Sequence, residues 1–314
     1  MDWFVGMVSS ILAIVFGFLP NFSQEHRYVA MPAMTTRQDA VVLFAGDMMF
    51  DRSIRVEMQK NGEDFIFSCL GTTLKKPDLT VANLEGPITE RASKSVGSKP
   101  GDLSNTRFTF ASSTAALLKR QGIDAVSLAN NHAQDFGADG VRSTTRFLEG
   151  TGVAHFGDPL GERMHVARVN RIPLAFIGHN EFQTLVGEEW KGSTTTTEKA
   201  RKARADGYFP IVYAHWGAEY VPAGPEAKRL AREWIDAGAE MVIGAHPHVI
   251  QEHEEYAGKH IYYSLGNFIF DQYFQEDVRN GLLLEITFDH NGFVSAKEIP
   301  VYLERDRRTC LKAQ

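Results

Sequence analysis

From residue 40 onward the chain alternates short apolar runs with segments of helical period. Val-Val-Leu-Phe-Ala at 41–45, Leu-Thr-Val-Ala at 79–82, Ala-Val-Ser-Leu-Ala at 125–129, Ile-Val-Tyr-Ala at 211–214 and Met-Val-Ile-Gly at 241–244 are brief and mostly apolar. Runs of this kind read as buried strands. Between them, 114–121, 140–149, 198–205 and 225–237 space their apolar residues as helices do. The last opens on Pro225 and stops at Gly238, the residues preferred at those two ends. Strands alternating with helices predict an α/β sheet. The second half adds antiparallel signals. Segments 165–169 and 173–177 flank Asn170-Arg171, and 282–288 and 293–301 flank Asp289-His290-Asn291-Gly292, so two hairpins are expected. The expected fold is a two-sheet α/β sandwich over 40–304, with helices covering both sheets.

The polar residues that end these runs are unusual as a set. The first run stops at Gly46-Asp47, the second at Asn83-Leu84-Glu85, the third at Asn130-Asn131-His132, the fourth at His215 and the fifth at His246-Pro247-His248. Ligands of open α/β sheets gather beyond the carboxyl ends of strands. Pro247 cannot donate to a ladder, so the fifth strand ends there. If the chain stays extended, His246 and His248 project to one side, about 6.5–7 Å apart. Taken singly, each residue reads as a turn former or a hydrogen-bonded core histidine. Together they offer carboxylates, an amide and imidazoles, a donor set that suits Mn, Fe or Zn better than Ca.

Charge and cysteine content narrow the field. The net charge of −6 and pI near 6.0 give no general attraction for nucleic acid. Two cysteines, Cys69 and Cys310, lie far apart in sequence; no disulfide framework is indicated and thiolate metal sites are not expected. Residues 3–20 carry no charge, and such a run sits at the lower limit for spanning a bilayer. An uncleaved anchor over 1–20, followed by a linker over 21–39, is the expected arrangement. A cleaved signal peptide is the rival, disfavoured by Asp2 and by the lack of Lys or Arg before the run. Residues 305–314 are expected as a polar tail. The threonine run at 194–197 is expected as a loop feeding a cap at Thr197. The polar segment 89–109 carries Arg91, Lys94, Lys99 and Arg107 against Glu90 and Asp102. A segment so long is either solvated loop or a basic flap that recruits an anion.

Six blocks, in order, make the sequence recognisable: F-A-G-D-M-M-F-D-R at 44–52, A-N-L-E-G-P-I-T at 82–89, S-L-A-N-N-H-A-Q-D-F-G at 127–137, H-W-G-A-E-Y at 215–220, G-A-H-P-H-V-I-Q at 244–251 and Y-S-L-G-N-F-I-F-D at 263–271. With them the chain resembles the capsule-synthesis CapA family, also called the poly-γ-glutamate capsule family, within the calcineurin-like metallophosphoesterase superfamily. The resemblance implies a metallophosphoesterase-type sandwich holding two divalent metal ions. It places Asp47 and His248 on the first metal, Glu85 at the bridging carboxylate, and Asn131, His215 and His246 on the second. His132 would face the substrate as general acid or charge stabiliser. Asn83, Glu219, Asn267 and Asp271 would support the ligands or meet the substrate, as would Arg107 from the basic segment. It further implies an anionic polymer or phosphoester substrate, capsule-synthesis partners, and an extracytoplasmic domain held at the cell membrane.

Two departures stand out. The wider superfamily has Asp-x-His in the first block, where this chain has Asp47-Met48-Met49. Ala245 stands where a histidine often precedes the His-Pro-His unit. Two functional readings therefore stay open: a metal-dependent hydrolase, or a non-catalytic metal-binding or polymer-binding subunit of a capsule machine.

Overall fold

The computed structural model describes residues 39–161, 164–182 and 192–312. The expected anchor and all but the last residue of the expected linker lie outside the described residues. Among the described residues, no helix is long and apolar enough to cross a membrane.

The strands form two sheets. In the first, β14 (Thr309–Leu311), β13 (Gly292–Leu303), β12 (Asn280–Asp289), β1 (Ala40–Met48), β2 (Leu79–Leu84), β3 (Ala125–Ser127) and β4 (Ala154–Phe156) lie in that order, and β11 (Asn267–Ile269) also pairs with β1. The second runs β5 (Met164–Val169), β6 (Ile172–Asn180), β7 (Phe209–His215), β8 (Met241–Ala245), β10 (Lys259–Tyr262) and β9 (His253–Tyr256). Strands β1 to β4 are parallel to one another, as are β6, β7, β8 and β10. The helices are α1 (Arg52–Asn61), α2 (Thr114–Gln121), α3 (Gly137–Thr151), α4 (Gly192–Ala205) and α5 (Pro225–Asp236).

Alternation along the central strands sorts side chains between layers. On β1, Val42 and Phe44 enter the core between the sheets, with Ile211 and Tyr213 of β7 and Met241 and Ile243 of β8. Leu43 and Ala45 face the opposite way, into a core that takes in Ile54 and Met58 of α1 and Leu117 and Leu118 of α2. Val212 and Ala214 of β7 face Ala227, Leu230, Ala231 and Trp234 of α5. Strands buried on both faces read as unbroken apolar runs, which is why the five runs were visible in the sequence. The result is a two-sheet α/β sandwich with a helical layer on each outer face.

Three expectations are corrected. The threonines at 194–197 fall inside α4 rather than in a loop. Part of the expected polar tail, Thr309–Leu311, is the edge strand β14. Cys69 and Cys310 are joined in a disulfide across a separation of 241 residues. Sequence distance hid that pairing; β14 brings Cys310 back beside the segment after α1.

Candidate metal centre

The site begins with a glycine. The register of β1 against β2 slips between Phe44 and Asp47. A side chain on Gly46 would lie 1.9 Å from the Gly266 carbonyl oxygen, so only glycine lets β1 run this close to the segment entering β11. Beyond the slip, Asp47 stands level with Asn83 on one neighbour and Asn267 on the other. Asp47 Oδ1 accepts from Asn83 Nδ2 at 2.7 Å, and Oδ2 accepts from the His246 backbone N–H at 3.0 Å. Asn83 is held in turn by Asn130, whose Nδ2 donates to its Oδ1 at 3.0 Å.

The histidines come from the other sheet. His215 ends β7, level with Ala245 at the end of β8. Its Nε2 lies 2.9 Å from Asn131 Oδ1 and 3.1 Å from His246 Nδ1. The expectation of an extended His-Pro-His is corrected: His246 has φ +93° and His248 φ +58°. Left-handed backbone is costly for residues with a Cβ and gathers at functional sites. It sets the two rings 5.9 Å apart, centroid to centroid, and turns His248 toward Asp47. His248 Nδ1 is 2.9 Å from Asn267 Oδ1 and 3.4 Å from Asp47 Oδ2, and its Nε2 is 3.7 Å from Glu85 Oε1.

Burial and these neighbours drive the ionisations apart. Burial alone would raise Asp47, but the hydrogen bond to His248 and the charges of His215 and His248 outweigh it and lower the carboxyl to about 2. Glu85 goes the other way: desolvation, then the charges of Asp47 and Glu219, push it well above the usual carboxylate range. Desolvation and then His246 push His215 well down, and desolvation and then His248 lower His246 to about 4. Neutral imidazoles are the form that binds metals.

The donor set fits a divalent cation. Glu85 is sealed from solvent, and neither of its oxygens has a hydrogen-bond partner among the described residues. Such groups are rare in folded proteins and call for an explanation. One donor atom each from Asp47, Glu85 and His248 lie within 4.8 Å of one another, as do donor atoms of Glu219, His246 and His248. Two groups sharing His248 sit side by side, so the residues present can hold a metal ion. His215 and Asn131 adjoin the second group through His246.

The remaining expected residues sit around this pair. His132 Nδ1 is 2.9 Å from Asp135 Oδ2, and its ring lies against Phe108 with centroids 4.2 Å apart. Asp271 is engaged by Arg52 at 2.5 Å and by the Ser53 N–H and hydroxyl at 3.1 and 2.8 Å. Arg107 Nε donates to the Asp135 carbonyl at 2.8 Å, and its guanidinium stacks on Phe136. Sequence reasoning missed Asp135, Arg52, Tyr220 and Phe182. Asp135 lies inside the 127–137 block, three residues after His132, and that spacing was the available signal. Arg52 closes the 44–52 block; its guanidinium lies over Phe108 and Phe270 at 5.0 and 5.5 Å. Tyr220 stacks near His248 with centroids 6.1 Å apart, and burial and then Glu219 push its phenol well up, keeping it a proton donor. Phe182 covers His246 at 4.1 Å, and nothing in its sequence context marked it.

Comparison with known proteins finds relatives among capsule-synthesis proteins. The chain is 26% identical to the capsule biosynthesis protein CapA of Bacillus anthracis (over 96% of this chain and 76% of that protein) and 28% identical to the PGA biosynthesis protein CapA of Bacillus subtilis strain 168 (83% and 71%). A probable polyglutamine synthesis accessory protein of Mycobacterium tuberculosis is 30% identical over 58% of this chain and 56% of its own. The family model described as bacterial capsule synthesis protein PGA_cap matches residues 41–272, a span that contains every candidate ligand described above. The chain belongs to the bacterial capsule synthesis protein PGA_cap family.

Proposed function

We propose that this protein is a metal-dependent hydrolase of capsule or poly-γ-glutamate biosynthesis, cleaving an amide or phosphoester bond of an anionic polymer. One observation carries the metal: Glu85, buried and without a hydrogen-bond partner, beside Asp47 and His248. Asp47, Glu85 and His248 would hold one ion, and Glu219, His246 and His248, with His215 and Asn131 adjoining, a second. A bound divalent ion would supply Lewis-acid activation of water and of the scissile bond.

The protein's own groups do the rest. Asp135 would accept from His132 Nδ1–H and orient the ring, so that with both nitrogens protonated Nε2–H gives its proton to the leaving group. Phe108 and Phe182 flank the two sides of the site and shield its imidazoles from water. Arg52 places a positive charge that is felt at Glu85 and Tyr220. Tyr220, kept protonated, is a donor to anionic oxygen.

The test is metal analysis of the full-length protein followed by turnover of a model phosphodiester and a γ-glutamyl amide with added Mn. We expect at least one ion per chain and cleavage that His132→Ala removes. Less than one ion per chain sinks the metal centre; a metal-loaded protein inert on both substrates sinks the hydrolase.

A second reading follows from Met49. Where the superfamily pattern has an imidazole, the buried Met49 Sδ accepts the Asp51 N–H at 3.0 Å. That weakens the donor set around Asp47 and favours a metal-stabilised, polymer-binding subunit. Polymer retention by a metal-loaded but inert protein would select it. For location we propose an extracytoplasmic domain anchored by residues 1–20. The Cys69–Cys310 disulfide supports that side, because such bonds persist in oxidising compartments. Thiol labelling without reductant in whole cells checks it: reactive cysteines would refute the location.

A further inference from the structure

Beside the metal-ligand groups lies a cavity of about 340 Å³ that none of them lines. Its walls are Arg52 and Ser53 at the start of α1, Asp271, Arg307, and small or polar residues of the 89–109 segment, among them Ser98 and Asn105. The expected basic flap is thus corrected in detail. The segment contributes serines, glycine and asparagine to the wall, and the cations come from Arg52 and Arg307.

Arg307 is the informative residue. Its Nε donates to Ser53 Oγ at 2.7 Å, its Nη1 to the Arg305 carbonyl, and its plane lies over Tyr273 at 4.5 Å. No carboxylate comes within ion-pair distance of it among the described residues. Arg52 has one carboxylate partner, Asp271, and its Nε is buried without an acceptor. Two guanidiniums thus line the wall with a single carboxylate, which pairs with Arg52 alone, and the cavity carries net positive charge. Both arginines also take left-handed backbone, at φ +48° and +76°, strain that persists only where the surroundings impose it. A larger hollow of about 700 Å³ against α5 offers the contrast. There three of the four wall cations are matched, Arg229 by Glu226 and Glu233, Arg232 by Glu254 and Lys228 by Glu252, with Arg201 the exception among the described residues.

We infer that this cavity is a carboxylate-binding subsite, in which Arg307 and Arg52 receive the free carboxylate of a polymer unit adjacent to the bond at the metal centre. The inference rests on the proposed acidic-polymer substrate and names how that substrate is recognised. With Arg307 Nε and Nη1 already donating and Arg52 Nη2 on Asp271, a carboxylate there would accept one charge-assisted hydrogen bond from each guanidinium. Arg52 reaches both places, since it lines the cavity and its charge is felt at Glu85. The subsite thus adjoins the metal centre without sharing its ligands.

The experiment is calorimetric titration of the full-length protein with a pentamer of γ-linked glutamate, with its γ-linked glutamine analogue as the neutral control. Arg307→Gln, which keeps most of the stem over Tyr273, should weaken pentamer binding about ten- to a hundredfold. Asn105→Asp, which adds a carboxylate to the wall at constant shape, should weaken it in the same direction. Arg305→Ala, removing an exposed charge nearby, should change it less than threefold. Equal losses in Arg307→Gln and Arg305→Ala, equal binding of the glutamine pentamer, or no pentamer binding by wild type each overturn the subsite. Displacement of the pentamer by equimolar inorganic phosphate reassigns the cavity to phosphate and overturns the carboxylate. Binding that depends on Arg307 in a protein without turnover fails the hydrolase and keeps the subsite; turnover indifferent to Arg307 does the reverse.

Discussion

Glu85 and Glu240 are both glutamates sealed from solvent, at 0% and 1% exposure, and they sit at opposite ends of the parallel strands. Glu85 follows the carboxyl end of β2; Glu240 precedes the amino end of β8. Glu240 accepts from Arg204 Nη2 at 2.5 Å, from Lys259 Nζ at 2.6 Å and from the Phe293 N–H at 3.0 Å. Glu85 has no hydrogen-bond partner among the described residues. The two ionisations diverge accordingly. For Glu240, burial alone would raise the carboxyl, but the bonds from Lys259 and Arg204 outweigh it and the net shift is down; for Glu85, desolvation and neighbouring carboxylates drive it up. One end of the sandwich satisfies a buried charge, and the other holds a carboxyl that burial keeps from ionising without a cation beside it. A fold that tolerates the second arrangement does so because the first kind of contact stabilises it elsewhere.

The comparison breaks most visibly if function and stability turn out to share one end of the molecule. His132→Ala should lower kcat by about 10²–10⁴-fold while leaving the urea midpoint and the metal content unchanged. Asp135→Asn should follow it in part, shifting the pH profile because His132 no longer has a carboxylate beside it. Glu240→Ala should do the opposite. Stripping the carboxylate from Arg204, Lys259 and the Phe293 N–H should cost about 2–3 kcal/mol of unfolding free energy with kcat unchanged. Urea denaturation beside steady-state kinetics reads both; a Glu240→Ala variant that loses kcat at full stability would dissolve the contrast.

Glu85→Gln sharpens the comparison because it inverts a sign. In metal-stripped protein, replacing an unpartnered buried carboxyl with a neutral amide should stabilise the fold by about 1–3 kcal/mol. Metal should then give back little. Wild type should gain roughly 2.7 kcal/mol at a hundredfold excess of metal over its dissociation constant, and the variant should gain much less. Thermal melts with and without Mn decide it. Stripped Glu85→Gln melting below stripped wild type would mean that Glu85 is satisfied by something other than a cation.

How much of this was legible depended on how local each signal was. The five apolar runs were visible because β1, β2, β3, β7 and β8 are buried on both faces, and burial leaves its mark residue by residue. Asp47, Glu85, His215 and His246 were visible because each stands at the end of a strand or directly follows one, whereas His132 and His248 lie farther on and stood out only by the company of Asn130-Asn131 and His246-Pro247. Features set by register or distant contact were hidden. Nothing in Gly46 announces that Gly266 passes against it and slides Asp47 level with Asn267. The left-handed turns at His246 and His248 cannot be read from a proline that suggests extended chain. Cys69 and Cys310, and Arg52 and Arg307, meet only because the chain after β13 returns to the segment around α1. The cationic partners of Glu240 were equally hidden, since Arg204 and Lys259 come from a helix and an edge hairpin.

The smallest effect tests the comparison on the acid side. Glu240 has a folded pKa below its unfolded one, so the stability it contributes is fully present above about pH 4.3 and is lost as pH falls through the folded value. Glu85, raised in metal-stripped protein, has the opposite sign: its contribution is full below the unfolded value and fades as pH rises toward the folded one. Asp47, lowered to about 2, also steepens the acid limb, so wild-type curves alone cannot separate the three. The useful quantity is the difference in unfolding free energy between wild type and Glu240→Gln, measured in chelator from pH 7 to pH 3. It should be flat down to about pH 5 and shrink below the ordinary carboxylate range. The matching difference for Glu85→Gln should run the other way, its gain over wild type growing as pH rises from the acid side. Parallel differences for the two glutamates would mean that both ends of the strands treat a buried carboxyl alike, and the division of labour between them would fall.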